Sequence, residues 1–250
     1  MTRSPPHRVG RSARSAGWGE TASQDDLKRA AAEKALELVR DGMLLGLGSG
    51  STVRYFTEGV GRLVAEGMKV RGVPTSRETA ELAAEFGIPI VTELVGEIDL
   101  AVDGADEVDP ALNLIKGRGG ALFREKVVAA ASKRLVVIVD ESKMVKQLGE
   151  GVLPVEVLPF LWRTTADRLL ALGASLVVRG GEEAPFTTDN GNLILDLTFQ
   201  NGIANPAELA TKIKVTTGVV EHGLFVGMTD TCIVAGAEGP RVLGRSGGAG

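Results

Sequence analysis

Short apolar segments alternate with helical patterns over residues 23–140, and this alternation constrains the fold more than any other feature. The segments with a strand pattern are MLLGLG, KVRGVPT, IPIVTE, EIDLAVDG and RLVVIVD. Helical periodicity begins at Ser23, where Ser23 and Asp26 have capping-box spacing, and recurs over STVRYFTEGVGRLVAEG and SRETAELAAEFG, with Gly87 at the C-terminal end. This order predicts a Rossmann-like, largely parallel sheet that is covered on both faces.

The order of elements changes near LPVEVLP, residues 153–159. The patterns beyond it predict a helix at about 160–172, a strand at SLVVR, a hairpin turn at Asn190-Gly191, a helix near 205–214, and strands around LFVGM and TCIVAG. We therefore expect a smaller α+β domain over residues 151–228. The α/β domain, expected to be the catalytic one, comprises residues 23–150 and about 229–245, with the last strand returning to the first sheet.

Composition narrows the possible chemistry. With 28 basic and 32 acidic side chains the net charge is −4, and no long run of one sign occurs outside the N-terminus, so no nucleic-acid partner is expected. One cysteine, Cys232, and two histidines, His7 and His222, argue against a multi-cysteine metal site or a Ser-His-Asp triad. No segment has the roughly 18 apolar residues of a membrane span. Chemistry is therefore expected from carboxylates, lysines and backbone amides.

The two ends of the chain differ from the rest. Residues 1–19 carry four arginines and no acid, a bias of organellar transit peptides, but they lack a clear amphipathic period. We predict a disordered basic tail over residues 1–22 and a cytoplasmic protein, with an organellar location as the alternative. Residues 246–250 are predicted to form a second, flexible tail.

The segment GLGSGSTV follows a predicted strand and begins a predicted helix. Backbone N–H groups at a helix N-terminus bind anions, and the hydroxyls of Ser49, Ser51 and Thr52 beside Gly50 add donors. A dinucleotide fingerprint fails because Ser51 replaces its third glycine, and a Walker loop fails because no Gly-Lys-Ser/Thr follows. A small phosphorylated ligand is the favoured interpretation, and a turn without a ligand is the alternative.

The segment DGADEVD ends another predicted strand and contains Asp103, Asp106, Glu107 and Asp109. Ligands of open α/β sheets bind at the carboxyl ends of strands, and closely spaced carboxylates shift one another's pKa values as acid–base chemistry requires. A solvated acidic turn and a divalent-metal loop are the alternatives, although the spacing does not match a calcium-binding hand.

In KGRGGALFREK, residues 116–126, a lysine precedes a glycine-rich turn and a helix. Helical spacing places Glu125 with Ala121, Val128, Ala129 and Ser132, a small or apolar face where a raised carboxyl pKa would suit a general base. The alternative is a surface glutamate, or one paired with a nearby Arg or Lys. Lys116, Lys143 and Lys28 are candidate ligands for an anion, and each has the alternative of a solvated side chain.

These segments together resemble ribose-5-phosphate isomerase of the A type. The resemblance covers about residues 23–245 and is carried, in order, by GSGST, VDGADEVD, KGRGGALFREK, VDESK, LPVEVLP, TDNGN and GVVEHGLF. It implies an isomerase that interconverts D-ribose 5-phosphate and D-ribulose 5-phosphate in the non-oxidative pentose phosphate pathway. It also implies a homodimer or homotetramer that needs no metal or other cofactor.

The resemblance implies roles for individual residues. Glu125 aligns with the proton-transferring base, and Asp103, Asp106 and Lys116 with its catalytic neighbours. The implied substrate contacts, in the phosphate loop, the acidic turn, the glycine-rich turn and two lysines, are Ser49, Gly50, Ser51, Thr52, Asp103, Gly104, Ala105, Asp106, Lys116, Gly117, Arg118, Gly119, Lys143 and Lys28. Arg118 departs from the family pattern, in which many members have glycine, so only its backbone contact is carried over.

Two classes of rival remain at this point. Related enzymes, such as amino-sugar-phosphate deaminases and CoA transferases, are expected to have other catalytic residues than the DGAD and KGRGG pair. A sugar-phosphate sensor would bind the same ligand without turning it over. Such regulators generally carry a helix-turn-helix segment, for which the basic N-terminus is too short.

Overall fold

A computed structural model describes residues 23–244, so both predicted tails lie outside the described residues. The helices in this part of the chain are α1 (Gln24–Leu36), α2 (Ser51–Ala65), α3 (Arg77–Glu85), α4 (Leu122–Ala130), α5 (Trp162–Leu170) and α6 (Pro206–Lys214), with a 3₁₀ turn at Glu141–Lys143. The capping box predicted for α1 is present: the Ser23 hydroxyl accepts from the Asp26 amide at 3.2 Å, and the Ser23 amide donates to the Asp26 carboxylate at 3.0 Å. No described helix has the length and apolar character needed to cross a bilayer.

The largest sheet has six strands in the order β13-β12-β6-β3-β1-β2. Its strands are β1 (Leu44–Leu47), β2 (Arg71–Pro74), β3 (Leu100–Asp103), β6 (Leu135–Asp140), β12 (Thr231–Gly236) and β13 (Gly239–Gly244). All pair in parallel except β13, which is antiparallel to β12. The predicted Rossmann-like, largely parallel sheet is therefore confirmed, and β12 returns to it as expected.

Both faces of this sheet are covered, which explains the unbroken apolar pattern of its strands. Along β6, Val136 and Ile138 belong to a core cluster with α1 and α2, whereas Val137 and Val139 face a second cluster that includes residues of α4. The alternation follows from the two-residue period of a strand. The result is a rigid layer whose carboxyl edge carries the turns after β1, β3 and β6.

A second sheet is antiparallel, in the order β10-β7-β9-β8. It contains β7 (Leu153–Val157), β8 (Ser175–Val178), β9 (Leu193–Thr198) and β10 (Val219–His222), and α5 and α6 accompany it. A third, small sheet joins β4 (Glu107–Val108), β5 (Leu114–Ile115) and β11 (Leu224–Phe225). Because β5 pairs with β11, the two parts of the chain that meet near residue 151 share hydrogen bonds, and the division into two domains stays a prediction.

Two details of the strand prediction were wrong. IPIVTE does not form a strand: Ile90 makes only an isolated bridge with Gly72. Pro89 has no N–H to donate to a ladder, so pairing does not extend along this segment. The strands β4, β5, β10 and β13 were not predicted, because they are short or lack a clear alternation of apolar and polar residues.

Candidate active site

A cleft lies at the carboxyl edge of the largest sheet. Turns that follow parallel strands converge there, as in other open α/β sheets. The lining residues come from α1, from the turns after β1 and β3, from the glycine-rich turn and α4, and from the end of β6: Gln24, Lys28, Ser49, Gly50, Ser51, Thr52, Gly104, Ala105, Asp106, Lys116, Gly117, Gly119, Glu125, Val139 and Lys143. Most of the predicted site residues are thus brought together.

One end of the cleft is built from the N-terminus of α2. Gly50 is the N-cap residue, with φ of 103°, a backbone conformation that residues with a side chain rarely adopt. No side chain caps this helix, so its first amides are available to a ligand, and the helix dipole favours an anion there. Lys28 and Lys143 line the same cleft and add positive charge.

Ser49 lines this end of the cleft, and its hydroxyl also belongs to a hydrogen-bonded cluster. Its Oγ lies 2.8 Å from the hydroxyl of Thr75, 2.9 Å from that of Ser76 and 3.2 Å from that of Thr79, behind the turn. Its amide donates to Oδ1 of Asp103 at 3.2 Å. Ser49 therefore ties the turn to Asp103 and to the N-cap of α3, and its contact with a ligand stays a prediction.

The other end of the cleft contains a buried ammonium between two carboxylates. Nζ of Lys116 lies 3.1 Å from Oδ1 of Asp103 and 3.3 Å from Oε2 of Glu125. It also donates to the carbonyl oxygen of Gly104 at 2.7 Å. The side chains of Lys116 and Glu125 are only 4% and 6% exposed, so these charges interact through protein and not through water.

Burial and the surrounding charges shift the pKa values of all three groups. Burial is the largest cause that raises the pKa of Glu125, the charge of Asp103 adds to it, and Lys116 opposes both, which brings the pKa to about 8. Burial also raises the pKa of Asp103 against the opposing charge of Lys116. Burial disfavours the Lys116 ammonium, but Asp103 and Glu125 outweigh it and hold the pKa of Lys116 above its usual range. Glu125 can therefore take up and release a proton near neutral pH.

The helix that carries Glu125 also explains its burial. Val128 and Ala129 on the predicted small-residue face are buried with it, at 7% and 8% exposure. The glycine-rich turn before the helix requires glycine at position 117, where φ is 106° and a Cβ atom would lie 2.7 Å from the side chain of Leu122. The positive φ of Gly117 thus lets the chain turn sharply after Lys116 and begin α4 at Leu122.

Arg118 directs its side chain away from the cleft. Its guanidinium pairs with Glu107 at 3.1 Å, whereas its amide donates to Oδ2 of Asp106 at 2.9 Å. Only the backbone of Arg118 therefore participates in the site, which explains how a residue other than glycine is accepted here. The side chain instead helps to neutralise a buried glutamate, which is 2% exposed.

The acidic segment DGADEVD contains two aspartates at the cleft and two acids that bind neighbouring backbone amides. Asp106 lines the cleft, and Asp103 lies behind Lys116. Glu107 accepts from the amides of Gly149 and Gly151 at 2.7 and 2.6 Å, and Asp109 accepts from the amides of Ala111 and Asn113 within its own turn. Within residues 23–244, no group of three or more His, Cys, Asp or Glu side chains is arranged to hold a metal ion.

Comparison with known proteins identifies the family. A family model described as ribose 5-phosphate isomerase A (phosphoriboisomerase A) matches residues 71–239. Ribose-5-phosphate isomerase A 1 of Oceanobacillus iheyensis is 52% identical over 213 residues, which cover 84% of this chain and 95% of that protein. The chain belongs to the ribose-5-phosphate isomerase A family.

Solved structures of ribose-5-phosphate isomerases have the same fold. The ribose 5-phosphate isomerase A of Methanocaldococcus jannaschii superimposes with a TM-score of 0.84 at 42% identity, covering 89% of this chain and all of that one. A D-ribose-5-phosphate isomerase in complex with phospho-erythronic acid has a TM-score of 0.86 at 40% identity, with 89% of this chain and 100% of that one covered. Both matches extend over the parallel sheet and the smaller antiparallel sheet.

Two residues that line the cleft, Gln24 and Val139, were not predicted from the sequence. Gln24 begins α1 directly after the Ser23 cap, and Val139 belongs to an apolar strand, so neither has a pattern that indicates a ligand. The TDNGN segment was predicted as a hairpin turn and used as a family motif, but its contacts with the helices were not foreseen. Asp189 within it accepts from the amide of Arg77 at 2.8 Å, and Asn190 accepts from Arg124 at 2.8 Å, which ties the hairpin to the start of α3 and to α4.

Proposed function

We propose that the protein interconverts D-ribose 5-phosphate and D-ribulose 5-phosphate in the non-oxidative pentose phosphate pathway by proton transfer through an enediolate. The observation that carries the proposal is the buried Lys116 ammonium between Asp103 and Glu125 at one end of a cleft whose other end is the uncapped N-terminus of α2. An open-chain sugar phosphate has a matching distribution of groups, with a phosphate at one end and a carbonyl at the other.

The phosphate is placed against the amides at the start of α2, with the hydroxyls of Ser51 and Thr52. Lys28 and Lys143 supply the compensating charge from α1 and from the 3₁₀ turn after β6. The similar D-ribose-5-phosphate isomerase was solved in complex with phospho-erythronic acid, which carries a phosphate and a carboxylate at opposite ends. A carboxylate has the charge and planarity of an enediolate, so the same two-ended arrangement accounts for such a ligand.

The chemical steps follow from the positions of the side chains. Glu125, as the carboxylate, removes the proton from C2 of the aldose, and the C2 electron pair forms the C1–C2 double bond while negative charge develops on O1. Lys116 and the amides of the glycine-rich turn stabilise that charge. The proton then passes from Glu125 to C1 as O2 becomes the carbonyl of the ketose. A pKa of about 8 suits a group that must both accept and return a proton.

The two aspartates have different tasks in this proposal. Asp103 accepts from the amides of Ser49 and Gly104 and pairs with Lys116, so it fixes the ammonium. Asp106 lines the cleft and is held by the amide of Arg118. We assign to Asp106 the contact with the sugar hydroxyls and the exchange of the proton that moves between O1 and O2. No redox cofactor or metal takes part in these steps.

The direct test is an assay of the purified, chelator-treated protein with ribose 5-phosphate, with ribulose 5-phosphate detected by NMR. We expect turnover without added metal, and loss of most of it in Glu125→Gln. Binding without turnover by the wild-type protein would contradict the proposal and favour a sensor. Turnover that returns only with a divalent ion would contradict the metal-free mechanism.

We further propose that the protein is a cytoplasmic homo-oligomer, a dimer or a tetramer, without a nucleic-acid or membrane partner. Light scattering after gel filtration measures the mass directly. A species of about 26 kDa, the 26.1 kDa of one chain, would contradict the oligomer. Fractionation of the native host cells tests the location, and enrichment in an organelle would favour the transit-peptide alternative.

A further inference from the structure

The glycine-rich turn beside the cleft is held from its outer side by Arg179, a residue that follows β8 of the antiparallel sheet. Nη1 of Arg179 donates to the carbonyl oxygen of Gly117 and to that of Arg118, at 2.9 Å each. The carbonyl of Gly117 also accepts from the amide of Gly120 at 3.0 Å. One guanidinium nitrogen therefore joins two successive peptide groups of the turn.

The guanidinium is itself held in a fixed orientation by Asp196 of β9. Nε of Arg179 donates to Oδ2 of Asp196 at 2.9 Å, and Nη2 donates to Oδ1 at 2.5 Å. The register of β8 and β9 pairs Val177 with Asp196, so Arg179 is the diagonal neighbour of Asp196 on the same face. The two side chains are only 16% and 15% exposed, which strengthens this two-point contact.

The direction of the carbonyls determines the direction of the amides. In a trans peptide, the carbonyl oxygen of one residue and the N–H of the next lie in one plane and point in opposite directions. Because the carbonyl of Gly117 points to Arg179, the amide of Arg118 points inward, where it donates to Asp106 at 2.9 Å. The same rule applies to the next peptide. Because the carbonyl of Arg118 accepts from Arg179, the amide of Gly119 points the opposite way, toward the cleft, which Gly119 lines.

We propose that Arg179 is a positioning residue for the isomerisation, which rests on the proposed function above. It fixes both peptide groups of the turn, so that the Arg118 amide holds Asp106 and the Gly119 amide faces the oxygen on which charge develops. A cation on the two carbonyls also polarises these peptide groups and strengthens their N–H donors. A positioned donor of this kind stabilises the transition state more than the bound sugar.

Arginine is suited to this task by its geometry. Its planar group contacts Asp196 through Nε and Nη2 and leaves Nη1 for the two carbonyls. Lysine is a single point charge and cannot make these contacts together. If Arg179 were only a structural tether, lysine would be tolerated at this position. Loss of the side chain would then lower stability without a selective fall in kcat.

The experiment compares Arg179→Met with Arg163→Met. Arg163 is a matched control, because it also belongs to the antiparallel-sheet part of the chain, but it pairs with Glu182 on the surface, at 68% and 59% exposure. For Arg179→Met we expect kcat to fall about tenfold to a hundredfold, the cost of a misplaced catalytic geometry. We expect KM and inhibition by inorganic phosphate to change less than about threefold, since ground-state binding is retained. Arg163→Met leaves all three values as in the wild type.

Two further measurements separate positioning from folding. Amide hydrogen exchange by NMR is expected to be faster at Arg118 and Gly119 in Arg179→Met and unchanged there in Arg163→Met, which does not depend on turnover. Added guanidinium is expected to restore part of kcat in Arg179→Ala. Arg179→Lys is expected to remain well below the wild type in kcat although it keeps the charge.

The outcomes that overturn the inference are equally specific. They are a folded Arg179→Met with wild-type kcat, or one in which KM rises and kcat is retained. If Arg179→Met does not fold, Asp196→Asn replaces it, and a wild-type kcat together with wild-type exchange at Gly119 overturns the inference. A wild-type protein without isomerase activity contradicts the proposed function instead, whereas the exchange data still test the hold of Arg179 on the turn.

Discussion

The two ends of the cleft use charge in opposite ways. At the reacting end, Lys116 and Glu125 are almost completely buried, with side chains 4% and 6% exposed, and their pKa values are shifted by burial and by one another. At the anion end, the N-cap Gly50 is exposed and Lys28 keeps 14% of its side chain in solvent. The anion end relies on backbone amides and partly solvated cations, and the reacting end on desolvated side chains.

We expect this difference to separate substrate binding from catalysis. Groups that keep contact with water can bind and release a phosphate at a small cost in solvation free energy, because water takes the place of the ligand. Buried groups hold a fixed electrostatic arrangement that is complementary to charge that develops during the reaction. Substitutions at the reacting end should therefore affect kcat, and substitutions at the anion end should affect KM.

The strongest test of this contrast is Glu125→Gln. The amide keeps the size of the side chain but cannot accept the carbon-bound proton, so we expect kcat to fall about 10²–10⁴-fold with little change in affinity for inorganic phosphate. Steady-state kinetics and phosphate inhibition measure both values. Glu208→Gln, on the surface of α6 in an exposed pair with Lys212, is the control and should behave as the wild type. A large rise in KM without a fall in kcat would contradict the assignment of Glu125 to the chemical step.

Replacing Lys116 by methionine should affect both chemistry and stability. Loss of the oxyanion partner is expected to lower kcat about 10²–10³-fold. Asp103 and Glu125 would remain buried without their cation, which costs about 3–5 kcal/mol when one partner of a buried pair is removed. Kinetics and urea unfolding measure the two effects. The double variant Lys116→Met, Glu125→Gln should recover part of the stability and none of the activity, and failure to recover stability would show that Glu125 is not strained by burial.

The pH dependence distinguishes the two ends directly. The active form of Glu125 is deprotonated, so kcat/KM should rise with pH through a pKa of about 8 and then level off. A phosphate on the substrate titrates lower, at about 6, and would give a separate limb if it controlled the rate. The pKa of Lys116 lies above its usual range, so its deprotonation does not interfere near pH 8. If kcat/KM instead changed only near pH 6, the pH dependence would belong to the phosphate of the substrate and not to Glu125.

The same shift predicts a change in stability. The folded protein holds the Glu125 proton up to about pH 8 and the unfolded chain releases it near 4.5, so Glu125 makes the fold less stable as pH rises between these values. In Glu125→Gln this contribution is absent. Thermal unfolding should therefore favour the variant above pH 8 and show a smaller difference below pH 4.5, and equal Tm values at both pH values would contradict the raised pKa.

The smallest expected effects belong to the anion end. Lys143→Ala should raise KM about tenfold with kcat nearly unchanged, because a charge-assisted contact to a solvated phosphate is only partly desolvated. Lys28→Ala should act in the same direction, and added salt should raise the wild-type KM while it narrows both differences. Lys212→Ala, a surface lysine of α6, is the control. A fall in kcat without a change in KM would show that this end takes part in the chemistry.

Much of the fold followed from patterns that are local in the chain. The parallel strands were visible as apolar runs because both faces of the sheet are covered, and the start of α1 was visible in its cap. The small sheet was not visible as a unit, since β4 and β5 are two residues long and β5 pairs with β11 across more than one hundred positions of sequence. Pairings of that kind depend on tertiary structure and leave no periodic signal.

The site shows the same division. Glu125 was predicted from its helical face, but a buried glutamate and one paired with lysine were treated as alternatives, whereas the structure combines both, since Lys116 reaches it beneath the turn. The hydroxyl of Ser49 was predicted as a ligand donor, and its cluster with Thr75 was not foreseen, because only the packing near α3 brings these side chains together. Arg179 gave no signal, because its partners Gly117 and Asp196 lie on other elements.

The most direct test of the central claim is isomerisation of ribose 5-phosphate in D₂O, followed by NMR. If Glu125 carries the proton through an enediolate, deuterium from the solvent-exchanged carboxyl should appear at C1 of ribulose 5-phosphate and at C2 of the recovered aldose. Both signals should be lost in Glu125→Gln. Undiminished turnover together with undiminished exchange in Glu125→Gln would contradict the assignment of Glu125 as the base.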